Sequence, residues 1–123
     1  MANKIPIKIN GLPEALSKLR KYQSRKKKQI KAELMIGAFK IEGGAKDVAP
    51  VLTGRLKGSI TVDASDIALL VARVGTDVKY APYVEFGTKF MGARPYLYPS
   101  FFSHENEIVK AIGKVLRKDI GLK

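Results

Sequence analysis

The side chains in this sequence that could do chemistry are few, and their spacing does not suit catalysis. A hydrolytic triad needs a nucleophile, a base and a group that orients the base. The chain has a single histidine, His104, which falls at the start of the last helical segment and reads as a structural or surface residue. The carboxylates Asp47, Asp63, Asp66, Asp77 and Glu85 are scattered over turns, and there is no HExxH pair, no His/Asp cluster and no phosphate-cradling glycine loop. Gly54 and Gly58 flank a basic stretch, but neither follows a strand and opens a helix as a nucleotide loop requires. With no cysteine there is neither a thiolate metal site nor a disulfide framework. The expectation is a protein that is not an enzyme, with no catalytic residues, no cofactor and no metal.

Charge is the strongest bulk signal. The 123 residues carry a formal charge of +12, and self-repulsion of that size favours an anionic partner. Eight of the basic residues, Lys18, Arg20, Lys21, Arg25, Lys26, Lys27, Lys28 and Lys31, form a stretch without a single acid. They are the candidates for contact with an anion or with DNA, through phosphates and with an affinity that falls as salt rises. The competing reading is a solvated helix face. Sequence-specific reading of DNA is not expected, because no DNA-reading motif is visible and Tyr22 is the lone aromatic interleaved there.

The second half holds a different kind of signal, three short motifs rich in turn formers and aromatics. They are Pro50 to Ile60, Tyr80 to Thr88 and Ala93 to Pro99. In the plain reading Gly54, Gly58 and Gly87 serve tight turns and the aromatics fill the core. In the sharper one, rigid aromatic loops form contacts between subunits or with a partner at low entropic cost. The interface candidates are Thr53, Gly54, Arg55, Tyr80, Tyr83, Glu85, Phe86, Arg94, Tyr96 and Tyr98. Glu85, a lone acid among apolar residues, needs a partner, and Arg55 or Arg94 is the natural one.

The elements that must position these residues follow from periodicity. Lys4 to Asn10 alternates as a short strand, which Pro6 assigns to a sheet edge. From Leu12 to Ala45 the spacing is helical, with Leu12, Leu16, Leu19, Ile30, Leu34, Ala38 and Ile41 on one face. The stripe fails between Gln23 and Lys27, giving a short helix to about Tyr22 and a longer one from Ser24 to Ala45, frayed by Gly43-Gly44. Thr53 to Leu56 is a turn. Ser59 to Asp63 and Ile67 to Val74 form a hairpin around Ser65-Asp66, and Gly75 to Asp77 ends its second strand. Tyr80 to Phe86 is either a strand or one helical turn beginning at Pro82 and stopped by Gly87. Tyr96 to Tyr98 is a short extended piece between two prolines. Ser100 to Leu116 is the last helix, closed by the cations Lys114, Arg117 and Lys118. The fold class is α+β, one domain over residues 1–123, with N-terminal and C-terminal helices packed on a small, mostly antiparallel sheet.

No apolar run approaches the roughly 20 residues of a membrane span, and Met1 to Lys4 lacks the apolar stretch of a secretory signal. Synthesis in the cytoplasm and no membrane partner are expected. The three motifs, in their order and spacing, resemble the head–tail joining or tail-completion (neck) proteins of tailed bacteriophages, of the minor tail protein Z kind. Two positions depart from that pattern, Leu52 where an aspartate is usual and Tyr98 where an arginine is common. The resemblance implies a structural virion protein of the neck, made in the host cytoplasm. It would form a ring, a hexamer, that joins head and tail, leaves a channel for DNA and contacts neighbouring neck and tail proteins. The alternative from the residues alone is a small basic nucleic-acid-binding protein acting through Lys18 to Lys31.

Overall fold

A computed structural model describes residues 3–7, 11–13, 23–50 and 54–118. In chain order the elements are strand β1 (Asn3–Ile7), helix α1 (Gln23–Val48), the short helix α2 (Arg55–Ser59), strand β2 (Thr61–Asp63), a 3-10 turn (Ile67–Leu69), strand β3 (Ala72–Thr76), helix α3 (Ala81–Phe86) and helix α4 (Leu97–Lys118). The three strands form an antiparallel sheet in the order β1-β3-β2, with Ile5 opposite Val74 on one side and Val62 opposite Val74 on the other. Pro6 lies opposite Arg73 in the outer strand β1, where its missing N–H breaks no inner ladder. The fold is α+β, as the periodicity suggests.

Helix α1 forms because Ile30, Leu34, Ala38, Ile41 and Ala45 recur at spacings of three and four, and all five are fully buried. Each large side chain of this kind contributes roughly 1.5–3 kcal/mol when taken out of water. The stripe faces the sheet and α4, where Val74, Ile60, Leu97, Ile108 and Ile112 complete the core. Helix α4 runs antiparallel to α1, since Ser100 meets Ile41 and Gly44, Ile108 meets Gly37, and Val115 meets Lys26. Two glycines set that approach. A Cβ on Gly37 would stand 2.5 Å from Ile108 Cγ1, and one on Gly44 2.4 Å from Ser100 Oγ. Gly43-Gly44 therefore does not fray the helix, which runs on to Val48 because its packing against α4 outweighs the propensity cost.

Three further expectations are corrected. The hairpin pairing stands, but its connection is longer: Ile67–Leu69 is a 3-10 turn and not strand, with Leu70 at φ 61 and buried. Strand β3 continues through Gly75 and Thr76, because Asn3 and Thr61 give those residues strand partners. Helix α4 begins at Leu97 rather than Ser100. Pro99 is the third residue of the helix, where no N–H is needed for an intrahelical bond, so the proline read as a boundary fits inside the first turn. Tyr80 to Phe86 takes the helical alternative, ended by Gly87 at φ 80.

Candidate functional site

The start of α4 depends on one side chain. Glu85 is 6% exposed. Its Oε1 accepts the N–H groups of Tyr96 at 3.1 Å and Leu97 at 3.0 Å, and its Oε2 that of Tyr98 at 3.2 Å. A helix leaves its first N–H groups unpaired. Here a single carboxylate from α3 takes three of them, and Pro99 supplies no fourth. The negative charge also sits at the positive end of the helix dipole. The hydrogen-bond partners of Glu85 are thus main-chain groups and not the arginines expected, and Glu85 is an interior group rather than an interface residue.

Tyr96 is likewise corrected from interface to core, at 1% exposed. Burial first, then the charge of Glu85 and the nearby Tyr80, push its phenol from 10.0 up to about 12. An acid whose folded pKa is raised keeps its proton after the unfolded chain has lost it, so stability falls as pH rises from about 10 to about 12. The loss attributable to Tyr96 should be on the order of 2 kcal/mol, and Tyr96→Phe should remove that part of the decline. Urea midpoints of the two proteins across this range test the point; parallel curves would contradict it.

The Thr53 motif lies against β3. Gly54 stands at φ 76 before α2, Leu56 and Ile60 are buried, and the Ser59 hydroxyl donates to Leu56 O at 2.7 Å. Thr76, fully buried, bonds through its hydroxyl to Ser59 and accepts the Val78 N–H at 3.1 Å. The spacing of leucine, serine and isoleucine in this motif is therefore explained by packing. Arg55 is exposed at the start of α2. Thr53 and Leu52 lie outside the described residues.

The aromatic motifs divide between core and surface. Phe86, Tyr98 and Phe102 form a ladder with ring centroids 5.7 and 6.1 Å apart, and Phe101 packs edge-on to Phe102 at 5.5 Å. Phe86 is 65% exposed, Phe102 61%, Tyr83 58% and Tyr98 38%. Beside them residues 88–94 fold into a compact turn. Thr88 and Met91 exchange main-chain hydrogen bonds, and Arg94 N donates to Val84 O at 2.8 Å. Gly87 is required there, since its φ is positive and a Cβ would stand 2.8 Å from the Ala93 nitrogen. The turn holds up Phe90, 87% exposed, with the Lys89 ammonium 5.1 Å from the ring centroid. Tyr80 and Arg94 are also exposed. Apolar groups so exposed, on a frame this well hydrogen-bonded, make this the candidate contact surface.

The basic stretch is less uniform than the sequence suggests. Lys18, Arg20 and Lys21 lie outside the described residues. Lys26 is fully buried, and its ammonium donates to the main-chain oxygen of Val115 in the last turn of α4. It continues the buried stripe of Ile30 and Leu34 and does not interrupt it, so it is removed from the candidate anion contacts. Arg25 and Lys28 are exposed, and Lys27 and Lys31 half-buried. Because the helices are antiparallel, this end of α1 adjoins exposed Lys110, Lys114 and Arg117 of α4. Lys110 and Lys114 line an open groove of about 900 Å³ between the helices, together with Gln29 and Glu33. That convergence of two basic segments was not read from the sequence, which shows only their separate clusters.

A second exposed apolar face was also missed. Ala32, Ile36, Phe39 and Gly43 of α1 are all exposed, with Ile36 at 48% and Phe39 at 54%. Their 4-3-4 spacing was the available signal. His104 is half-buried against Gly44, its Nδ1 2.9 Å from Ser100 O, a packing position between helices. Among the described residues no three His, Cys, Asp or Glu side chains are grouped to hold a metal ion, and no helix is long and apolar enough to cross a membrane.

No curated protein and no solved structure matches the chain. A family model does match, over residues 13–87, described as "Bacteriophage HK97-gp10, putative tail-component". The matched span holds α1, the Thr53 motif, the whole sheet apart from β1, and α3 with Glu85, and it stops at Gly87, before the exposed turn and α4. With more than half of its length inside that match, the chain belongs to the HK97-gp10-like family of bacteriophage tail components.

Proposed function

We propose that this tail component is a structural, non-catalytic part of the phage neck, acting in tail completion as a head–tail connector. It would assemble in the virion as a ring, a hexamer, that joins head and tail, contacts neighbouring neck and tail proteins and leaves a channel for DNA. The observation that carries the reading is the exposed ladder of Phe86, Tyr98 and Phe102 beside Phe90. Aromatic anchors held rigid in the free protein lose little entropy on contact, and such residues dominate interface energies. Light scattering should give a closed oligomer near six subunits whose mass does not change with salt or added DNA, while Phe102→Asp should leave single chains. A wild-type chain that stays monomeric under every condition would overturn the reading.

A second reading, contact with nucleic acid, is favoured by exposed cations on both helices at one end of the pair, Lys28 on α1 and, in the groove between the helices, Lys110 and Lys114 of α4. Changing these three to glutamine should weaken binding to a DNA duplex about 10-fold or more at low salt. It should also reduce the slope of log affinity against log salt by about 2–3, near one per lost phosphate contact. Lys26→Met, which alters a buried group, should leave that slope unchanged. Identical slopes for wild type and the triple variant would set this reading aside.

A further inference from the structure

We infer that five cations on the two long helices form one surface that holds the phosphates of both strands of a nucleic-acid duplex without reading its bases. The inference rests on the second reading above, contact with nucleic acid, and specifies the ligand and how it is held.

The packing of α4 on α1 assembles this surface. Ile108 lies against Gly37 and the Lys26 ammonium reaches Val115 O, so the first turns of α1 stand beside the last turns of α4. Stepping 100° per residue, Arg25 and Lys28 fall on the flank of α1 that also presents the groove residues Gln29 and Ala32. Lys110 and Lys114 line the groove from α4, and Arg117 follows on the same flank. All five cations are exposed. Half-buried Lys27 and Lys31 turn away from the groove and add nothing to the surface.

The acids nearby do not cancel these charges. Among the described residues 23–33 and 110–117 the only carboxylate is Glu33, half-buried in the groove. Glu107, next along the groove, is engaged by Lys40. Glu105 falls on the opposite flank of α4, and Glu42 and Asp47 lie toward the far end of α1. What remains is a cationic surface that an anionic partner complements.

Two features make that partner a duplex. The first is the layout in two rows. Packed helix axes lie about 8–10 Å apart, and at 1.5 Å per residue the row from Lys110 to Arg117 is about 10 Å long. Rows at that separation can meet the phosphates of both strands bordering a minor groove about 6 Å wide, whereas a single strand supplies phosphates for one row. The second is the absence of aromatic side chains from residues 23–33 and 110–117, since single strands are held largely by stacking on such rings. Apart from half-buried Gln29, the space between the rows is lined by Ala32, Ala111 and Val115, which offer no side-chain hydrogen bond to a base edge. Contact is therefore with phosphate, which positions a protein but carries no sequence.

Anisotropy of a labelled DNA duplex and of the matching single strand, titrated over a range of salt, tests this. The duplex should bind about 10-fold tighter at low salt, with the steeper fall of log affinity against log salt. Arg25→Gln with Lys28→Gln removes the α1 row, and Lys114→Gln with Arg117→Gln most of the α4 row, all at exposed positions. Each pair should lower duplex affinity about 10-fold and the slope by about 2, equally for duplexes of different sequence. A single strand bound as tightly as the duplex would overturn the two-strand contact and leave nucleic-acid binding standing. An affinity that survives loss of either row would do the same. A polyglutamate chain that binds more tightly than the duplex would assign the surface to an acidic protein and overturn both, as would a wild-type chain that binds no DNA.

Discussion

Glu85→Ala should destabilise the protein by about 3–5 kcal/mol, the largest loss expected from any single truncation outside the apolar core. The substitution leaves the N–H groups of Tyr96, Leu97 and Tyr98 without their acceptor. A buried donor without a partner costs roughly 1–3 kcal/mol, and water can reach the exposed Tyr98 more readily than the other two, so the three do not simply add. Against a total stability of about 5–15 kcal/mol the variant will be marginal. Glu85→Gln should lose less, about 1–3 kcal/mol, because one oxygen remains to accept while the amide group opposes the Tyr98 N–H and the charge at the helix N-terminus is gone. The order Ala, then Gln, then wild type should appear in urea midpoints at constant slope. A loss for Glu85→Ala no larger than that of the exposed Glu105→Ala would rule out the capping role. Tyr98 and Phe102 ride on the first two turns of α4, so loosening this cap should also disperse the aromatic ladder on which the proposed ring depends.

How much of this was legible in the sequence depends on the range of the interaction. Helix α1, the antiparallel pairing of β2 with β3, the edge position of β1 and the stop at Gly87 are written in local spacing and turn chemistry, and they were read correctly. The start of α4 was not, because its cap comes from a glutamate eleven residues upstream of Tyr96 and no cap lies within the segment itself. Lys26 was misread for a related reason. A lysine on an apolar stripe reads as a break until the carbonyl that receives it, on Val115, is brought there by the fold. The same holds for Tyr96, which composition cannot distinguish from its surface neighbour Tyr98. The family motifs fared better as packing signals than as interface signals: Leu56, Ser59, Ile60, Ala81, Glu85 and Gly87 are each explained within one chain. Tyr80, Tyr83, Phe86 and Tyr98 are left as the exposed aromatics of those motifs.

Gly37 carries the second large effect. Its place within the helix interior costs about 1 kcal/mol relative to alanine, so something must require it, and the neighbour is Ile108, whose Cγ1 and Cδ1 would stand 2.5 and 2.6 Å from a new Cβ. Gly37→Leu should destabilise by about 3 kcal/mol, because a larger side chain cannot fit without parting α1 from α4. Gly37→Ala should cost less, since the gain in helix propensity offsets part of the clash. Gly43→Ala supplies the contrast: a Cβ there meets nothing within 4 Å, and the same gain in propensity should stabilise by about 0.5–1 kcal/mol. Ile108→Val removes the Cδ1 atom and should recover part of the loss in Gly37→Ala, a coupling measurable as a double-mutant cycle. Additive effects of Gly37→Ala and Ile108→Val would mean that the helices do not touch there. With coupling observed, the glycine sets the distance between the two helices, and with it the reach of Lys26 to Val115 and the width of the groove between Gln29 and Lys114.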